Sequence, residues 1–125
     1  MNVREVLREW GLNDFRVIDK RAIEEITLGA SILATGGGGD PEIGLLWTYK
    51  VIEEGKEIIM VDPKDVPDDI LVASPACLGA ALVLTEKPPS RGVLNLAVSK
   101  LESYMGKRLK ATIPIECGGV NSPVA

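Results

Sequence analysis

The chain has 125 residues, enough for one domain with a hydrophobic core; 46% of them are apolar and 26% are charged. The formal net charge of −4 argues against nucleic acid as a partner, because binding to phosphates requires clustered cations. Since the chain contains no His, it supplies no imidazole base, no imidazole metal ligand and no Ser-His or Cys-His pair.

We expect no targeting or membrane segment from the sequence. Its amino terminus has no apolar signal core, and no apolar run reaches the roughly 20 residues that span a bilayer. The two cysteines, Cys77 and Cys117, are far apart in the sequence. We therefore expect a cytoplasmic protein with reduced thiols and no membrane contact. Many Lys, Arg and Glu residues, with several prolines in loops, indicate a thermophilic source.

Four segments have the apolar spacing and the end signals of helices. The predicted helices run from Val3 to Trp10, from the N-cap Asp19 to about Ala34, from Asp40-Pro41 to the stop at Gly55, and from Ser90 to the stop at Gly106. Aspartate suits an N-cap and proline suits the first helical position, so the third helix has the clearest start.

Short apolar runs between these helices predict strands. The runs are Glu57 to Val61, Asp69 to Ser74, and Leu109 to Ile115. Residues 76–85 fit either a buried helical turn or a loop followed by a strand, and we prefer loop then strand. Buried strands separated by helices predict an α/β fold with a mostly parallel sheet flanked by helices. We expect a single domain over residues 1–125, incomplete because no helix follows the last strand.

The most distinctive segment is Thr35-Gly36-Gly37-Gly38-Gly39-Asp40-Pro41. Four consecutive glycines cost conformational entropy, so the run indicates a very tight backbone path or close approach by another group. A dinucleotide fingerprint needs a strand before its glycines, whereas a helix is predicted here, and the phosphate-loop lysine is missing. Two alternatives to a nucleotide site stay open. One is a tight connection between helices that binds no ligand, and the other is a non-nucleotide site built from glycine N–H groups and Asp40.

Two other polar segments are candidates for chemistry. Glu86-Lys87 ends a strand-like run, and in open α/β sheets charged groups at strand ends serve catalysis. The alternative is a solvated turn with an ion pair of little consequence. Glu116-Cys117-Gly118-Gly119-Val120-Asn121-Ser122 follows a strand and offers a carboxylate, a thiol, an amide and a hydroxyl. That set fits a carbonyl substrate or a metal, or else a buried Cys beside a glycine turn. Two distant cysteines without His do not make a structural zinc site.

Taken in order, four segments resemble the amino-terminal domain of the S-methyl-thiohydantoin desulfurase family, some of whose members are labelled hydantoin-utilisation related. They are residues 29–41, Leu78-Gly79-Ala80, Glu86-Lys87-Pro88, and residues 116–122. The resemblance covers about Ala22 to Ala125. It implies a longer, two-part protein, with an α/β region joined to a β-rich region. Where the family has a hydrophobic or branched residue beside the glutamate, this chain has Cys117.

The resemblance implies a fragment or subunit of a hydrolase-like enzyme that acts on a small cyclic amide or thioamide. Asp40 and Glu116 would be catalytic, orienting a ring N–H or activating water. The implied substrate-binding residues are Gly37, Gly38, Gly39, Glu86, Asn121 and Ser122. No metal ligand is assigned, and the sequence defines no cofactor.

The alternative is a non-catalytic module that forms a homo-oligomer or pairs with a partner chain supplying the missing half. If the glycine run belongs to a binding site and is not only a connection between helices, its neighbours in space can be predicted. The N–H groups of the glycine run should face Glu86, Glu116 and Asn121 across a cleft.

Overall fold

The computed structural model describes residues 2–87 and 92–125 and shows a mixed α/β fold. The helices are α1 (Val3–Glu9), α2 (Lys20–Ala34), α3 (Pro41–Glu53), α4 (Ala81–Glu86) and α5 (Val93–Met105), with a 3₁₀ turn at Pro63–Asp65. The strands are β1 (Arg16–Val17), β2 (Ile59–Met60), β3 (Leu71–Ala73) and β4 (Leu109–Thr112). The predicted break at Pro88-Pro89 and the helix start at Ser90 lie outside the described residues.

Helices α2 and α3 begin where their aspartates predict. The Asp19 carboxylate accepts a hydrogen bond from the N–H of Ala22 at 2.8 Å, and the Asp40 carboxylate accepts one from the N–H of Glu42 at 2.9 Å. Pro41 occupies the first turn of α3, where a missing N–H costs nothing. Both predicted helices are therefore confirmed, and Asp40 has a structural role at the end of the glycine run.

The packing of α2 against α3 forms the main core. Ile18, Ala22 and Ile23 are buried at its centre. Apolar side chains of both helices and of the segment before β2 pack around them: Ile26, Leu45, Tyr49, Ile52 and Ile58. The helical members of this core recur at the spacing of one helix face, so most of the apolar stripe read from the sequence is buried. Leu33 and Leu46, at neighbouring apolar positions, are exposed instead, 71% and 66%.

The prediction of a mostly parallel sheet is corrected by the structure. There are two small sheets among the described residues: β1 pairs antiparallel with β2, and β3 pairs parallel with β4. Each strand has only two to four residues, and the two sheets share no strand. Strand β1 lies in a segment to which the sequence assigned no strand, and its pairing with β2 makes the first sheet antiparallel.

The preference for a strand within residues 76–85 is wrong, because α4 begins at Ala81. Ala and Leu, which favour helices, are the most frequent residues of this segment. Their helix propensity explains why the apolar run forms a helix and not a strand. As a result Glu86 ends a helix rather than a strand. Within the described part of the chain, no helix is both long enough and apolar enough to cross a membrane.

Candidate functional site

The glycine run makes a tight turn between α2 and α3 that uses backbone angles reserved for glycine. Gly36, Gly38 and Gly39 have φ of +96°, +69° and +90°, and Thr35 before them is also left-handed at +50°. The N–H of Gly37 donates to the carbonyl of Ala34 at 3.0 Å. The run is therefore an ordered turn, and the N–H of Gly37 already has an acceptor.

This turn lies directly on the loop of residues 116–122. The carbonyl of Gly38 accepts hydrogen bonds from the N–H groups of Val120 at 2.8 Å and Asn121 at 3.1 Å. A Cβ added to Gly38 would overlap the Cα of Gly118, and one added to Gly118 would lie 2.6 Å from the Cα of Gly38. The two backbones thus touch without a side chain between them, which explains glycine on both sides.

The contact continues onto α3. A Cβ added to Gly44 would overlap the carbonyl oxygen of Gly119 and would lie 2.8 Å from Cγ of Pro123. One turn later, the buried hydroxyl of Thr48 lies 2.9 Å from the carbonyl oxygen of Gly44 and 3.2 Å from that of Pro123. The loop is therefore seated on the first two turns of α3 as well as on the glycine run.

Asn121 joins the loop to a third segment. Its side chain is buried, with the residue 1% exposed. The carboxamide oxygen accepts from the N–H of Cys77 at 2.8 Å, and the nitrogen donates to the carbonyl of Cys77 at 3.0 Å. The same nitrogen donates to Oε1 of Glu116 at 2.8 Å. One side chain thus holds the main chain of Cys77 and the carboxylate of Glu116 in place.

Glu116 lies at the open side of this arrangement. The residue is exposed, yet its Oε1 is fixed by Asn121 and lies 3.2 Å from the position of a Cβ added to Gly38. Its Oε2 has no hydrogen-bond partner among the described residues. The hydroxyl of Ser122 accepts from the N–H of Gly118 at 2.9 Å and donates to the carbonyl of Glu116 at 3.1 Å, which closes the loop.

The structure brings three of the predicted site residues into direct contact. Gly38, Glu116 and Asn121 lie together, but the contact uses the carbonyl of Gly38, whereas the prediction had the N–H groups of the run facing these residues. Gly39 lies beside them, and a Cβ added to it would meet the side chains of Val120 and Leu84. Glu86, at the end of α4, forms no hydrogen bond or ion pair with another described residue.

The main chain of Cys77 is part of the cluster, a contact that no motif in the sequence predicts. The available signal was its place just before Leu78-Gly79-Ala80 in the resemblance. Burial raises the pKa of the Cys77 thiol, which favours the protonated form. Cys117 is exposed, and both thiols are free. Among residues 2–87 and 92–125, no three Cys, Asp or Glu side chains come together as a metal-binding group.

The arrangement can bind a small polar molecule through two kinds of group. Glu116 offers an acceptor on its free Oε2. The N–H groups of Gly38 and Gly39 donate to no described residue, so they are donors for a carbonyl or carboxylate oxygen.

These features define an α/β domain in which the glycine turn between α2 and α3 contacts the loop of residues 116–122 that contains Glu116. The family model described as "S-Me-THD-like, N-terminal domain" matches residues 21–125, and the chain belongs to this family. The match confirms the resemblance that the four ordered segments indicate. No curated protein and no solved structure matches the chain.

Proposed function

We propose that the chain is part of a hydrolase-like enzyme that acts on a small cyclic amide or thioamide of the hydantoin type. Membership of the family supports the substrate class. The observation that carries the proposal is the carboxylate of Glu116, which Asn121 holds beside Gly38 with one oxygen free. A carboxylate acceptor and backbone N–H donors are the two kinds of group that would engage a cyclic amide, with its ring N–H and C=O groups.

In the proposed reaction with S-methyl-thiohydantoin, Glu116 accepts a proton from a water molecule as the water attacks the ring carbon that bears sulfur. The C–S bond then breaks, and the sulfur leaves as methanethiol after taking up a proton. The other product is hydantoin. The N–H groups of Gly38 and Gly39 hold a ring carbonyl and so orient the ring.

The remaining predicted site residues have supporting roles in this proposal. Asp40 caps α3 with one carboxylate oxygen, and the other can orient a ring N–H. Gly37 shapes the turn, because its N–H is used by Ala34. The Ser122 hydroxyl is engaged within its own loop. Glu86 stays a prediction, since no described contact connects it to Glu116.

The experiment compares methanethiol release by the wild type and by the Glu116→Gln variant. Glutamine keeps the shape and can still accept from Asn121, but it cannot take a proton from water. We expect the rate to fall by at least about 100-fold, the usual contribution of a general base. Glu5→Gln, the same change at an exposed position on α1, is the control and should not change the rate. Equal rates for the wild type and Glu116→Gln would exclude this role.

A second function is favoured by one observation on α5. None of the described side chains of this helix is buried, and Val93, Leu101 and Tyr104 lie exposed along it. A helix with an uncovered apolar face is typical of an association surface. The alternative is therefore a non-catalytic module that forms a homo-oligomer or pairs with a partner chain.

A further inference from the structure

The carboxamide of Asn121 has little capacity left for a ligand. Both hydrogens of its nitrogen are used, one by the carbonyl of Cys77 and one by Oε1 of Glu116. Its oxygen already accepts from the N–H of Cys77, and the residue is 1% exposed. A direct bond from its nitrogen to a substrate would require one of these hydrogen bonds to break.

The segment around Cys77 depends on Asn121 for its position. Residues 75–79 are neither helix nor strand. Apart from the two bonds that join Cys77 to Asn121, no main-chain hydrogen bond involves residues 75–79 within the described structure. The two bonds resemble one rung of a strand pair, so the side chain of Asn121 replaces a neighbouring strand at this point.

We propose that Asn121 is a positioning residue for the carboxylate of Glu116 and does not itself bind the substrate. This inference rests on the proposed function, in which Glu116 is the catalytic carboxylate. Asn121 fixes Oε1 beside Gly38 and so leaves Oε2 to act on the substrate, and it ties the Cys77 segment to the same place. A carboxylate that loses such a support moves away from its working geometry, which costs rate more than binding.

The contact itself is tested without any activity measurement, by a double-mutant cycle. The unfolding equilibrium constant is measured in urea for the wild type, Asn121→Ala, Glu116→Ala and the double variant. If the two side chains stabilise each other, the effects of the two single substitutions are not independent. The factor by which the double variant raises the unfolding constant should then be smaller, by about fivefold or more, than the product of the two single factors. If Asn121→Ala does not fold, Asn121→Ser takes its place in the cycle. Additive effects would overturn the inference whether or not the protein is an enzyme.

The role of that contact is tested by steady-state kinetics with S-methyl-thiohydantoin. For Asn121→Ser we expect kcat to fall by about 10- to 100-fold with KM nearly unchanged. The matched control is Asn95→Ser on the exposed surface of α5, which should leave both constants as in the wild type. A raised KM with unchanged kcat would identify a substrate contact instead and would overturn the inference. An inactive wild type that still shows coupling in the cycle would reject the proposed function while confirming the contact.

Discussion

Two glycines inside helices have opposite surroundings. Gly44 in α3 faces the carbonyl of Gly119, and a Cβ added there has no room. Gly29 in α2 has no atom within 4 Å of an added Cβ, and its backbone is helical. The first glycine is required by the seating of the loop on α3. The second only lowers helix stability, because glycine loses more entropy on ordering than alanine.

Substitution by alanine at these two positions should therefore have opposite effects. Gly44→Ala should destabilise the protein by about 2–4 kcal/mol, because the added methyl group meets backbone that cannot move away cheaply. Gly29→Ala should stabilise it by about 0.5–1 kcal/mol. Urea unfolding followed by circular dichroism measures both changes. If Gly44→Ala is as stable as the wild type, the loop of residues 116–122 is not seated on α3.

At the scale of elements, an ion pair ties α1 to the segment before β2. Nε and Nη2 of Arg4 donate to the two carboxylate oxygens of Glu57 at 2.7 Å and 2.6 Å, and the guanidinium lies 5.0 Å from the ring centre of Phe15. The hydrogen bonds from Arg4 hold the pKa of Glu57 below its ordinary value of 4.5. Both side chains are partly exposed, so the pair adds little to stability, but it is sensitive to pH.

The sign of this pH dependence follows from the lowered pKa. Stability contributed by ionised Glu57 is present above pH 4.5, the ordinary pKa, and is lost as the pH falls through the lower pKa of the folded state. At pH 7 we expect the wild type to be slightly more stable than Glu57→Gln. Urea titrations at decreasing pH should show the difference shrinking below about pH 4.5. A difference that stays constant down to pH 2 would contradict the ion pair.

The elements that the sequence predicts well are those decided by neighbours in the chain. Asp19 and Asp40 cap the helices that follow them, and the glycine run ends α2, because caps and turns are local effects. Strand β1 was missed because a two-residue strand exists only through its partner, here β2, more than 40 residues away. Helix α4 was missed because a short apolar run gives no clear period.

The candidate site was predicted in the same uneven way. The glycine run and Glu116 are conspicuous in the sequence, so it could be predicted that they lie close together. The hydrogen bonds between Asn121 and Cys77 could not be predicted, because they join residues 44 positions apart through a buried carboxamide. Glu86 was placed at a strand end, and the change of that strand into α4 removed the reason for including it.

At the scale of the domain, no described residue covers the apolar side chains on one face of α5. Val93, Ala97, Leu101 and Tyr104 follow each other at helical spacing on this face, and Tyr104 is 87% exposed. We propose a second copy of this chain as the occupant, in line with the expected homo-oligomer.

Light scattering coupled to size exclusion should then give a mass above the 13.4 kDa of one chain. Leu101→Glu should shift the protein to the monomer, since a carboxylate in an apolar contact is costly. Ser103→Glu, on the polar side of the same helix, is the control and should leave the mass unchanged. A monomeric wild type at all concentrations tested would exclude self-association through α5.

We propose that the glycine turn and the loop of residues 116–122 form one ligand site. The most direct measurement is an amide NMR titration of the ¹⁵N-labelled chain with hydantoin and with S-methyl-thiohydantoin, which requires no turnover. We predict saturable shifts of the amide signals of Gly38, Gly39, Glu116 and Cys77, with the signal of Gly29 unmoved as an internal control. Shifts confined to other parts of the chain, or none at millimolar ligand, would contradict the claim.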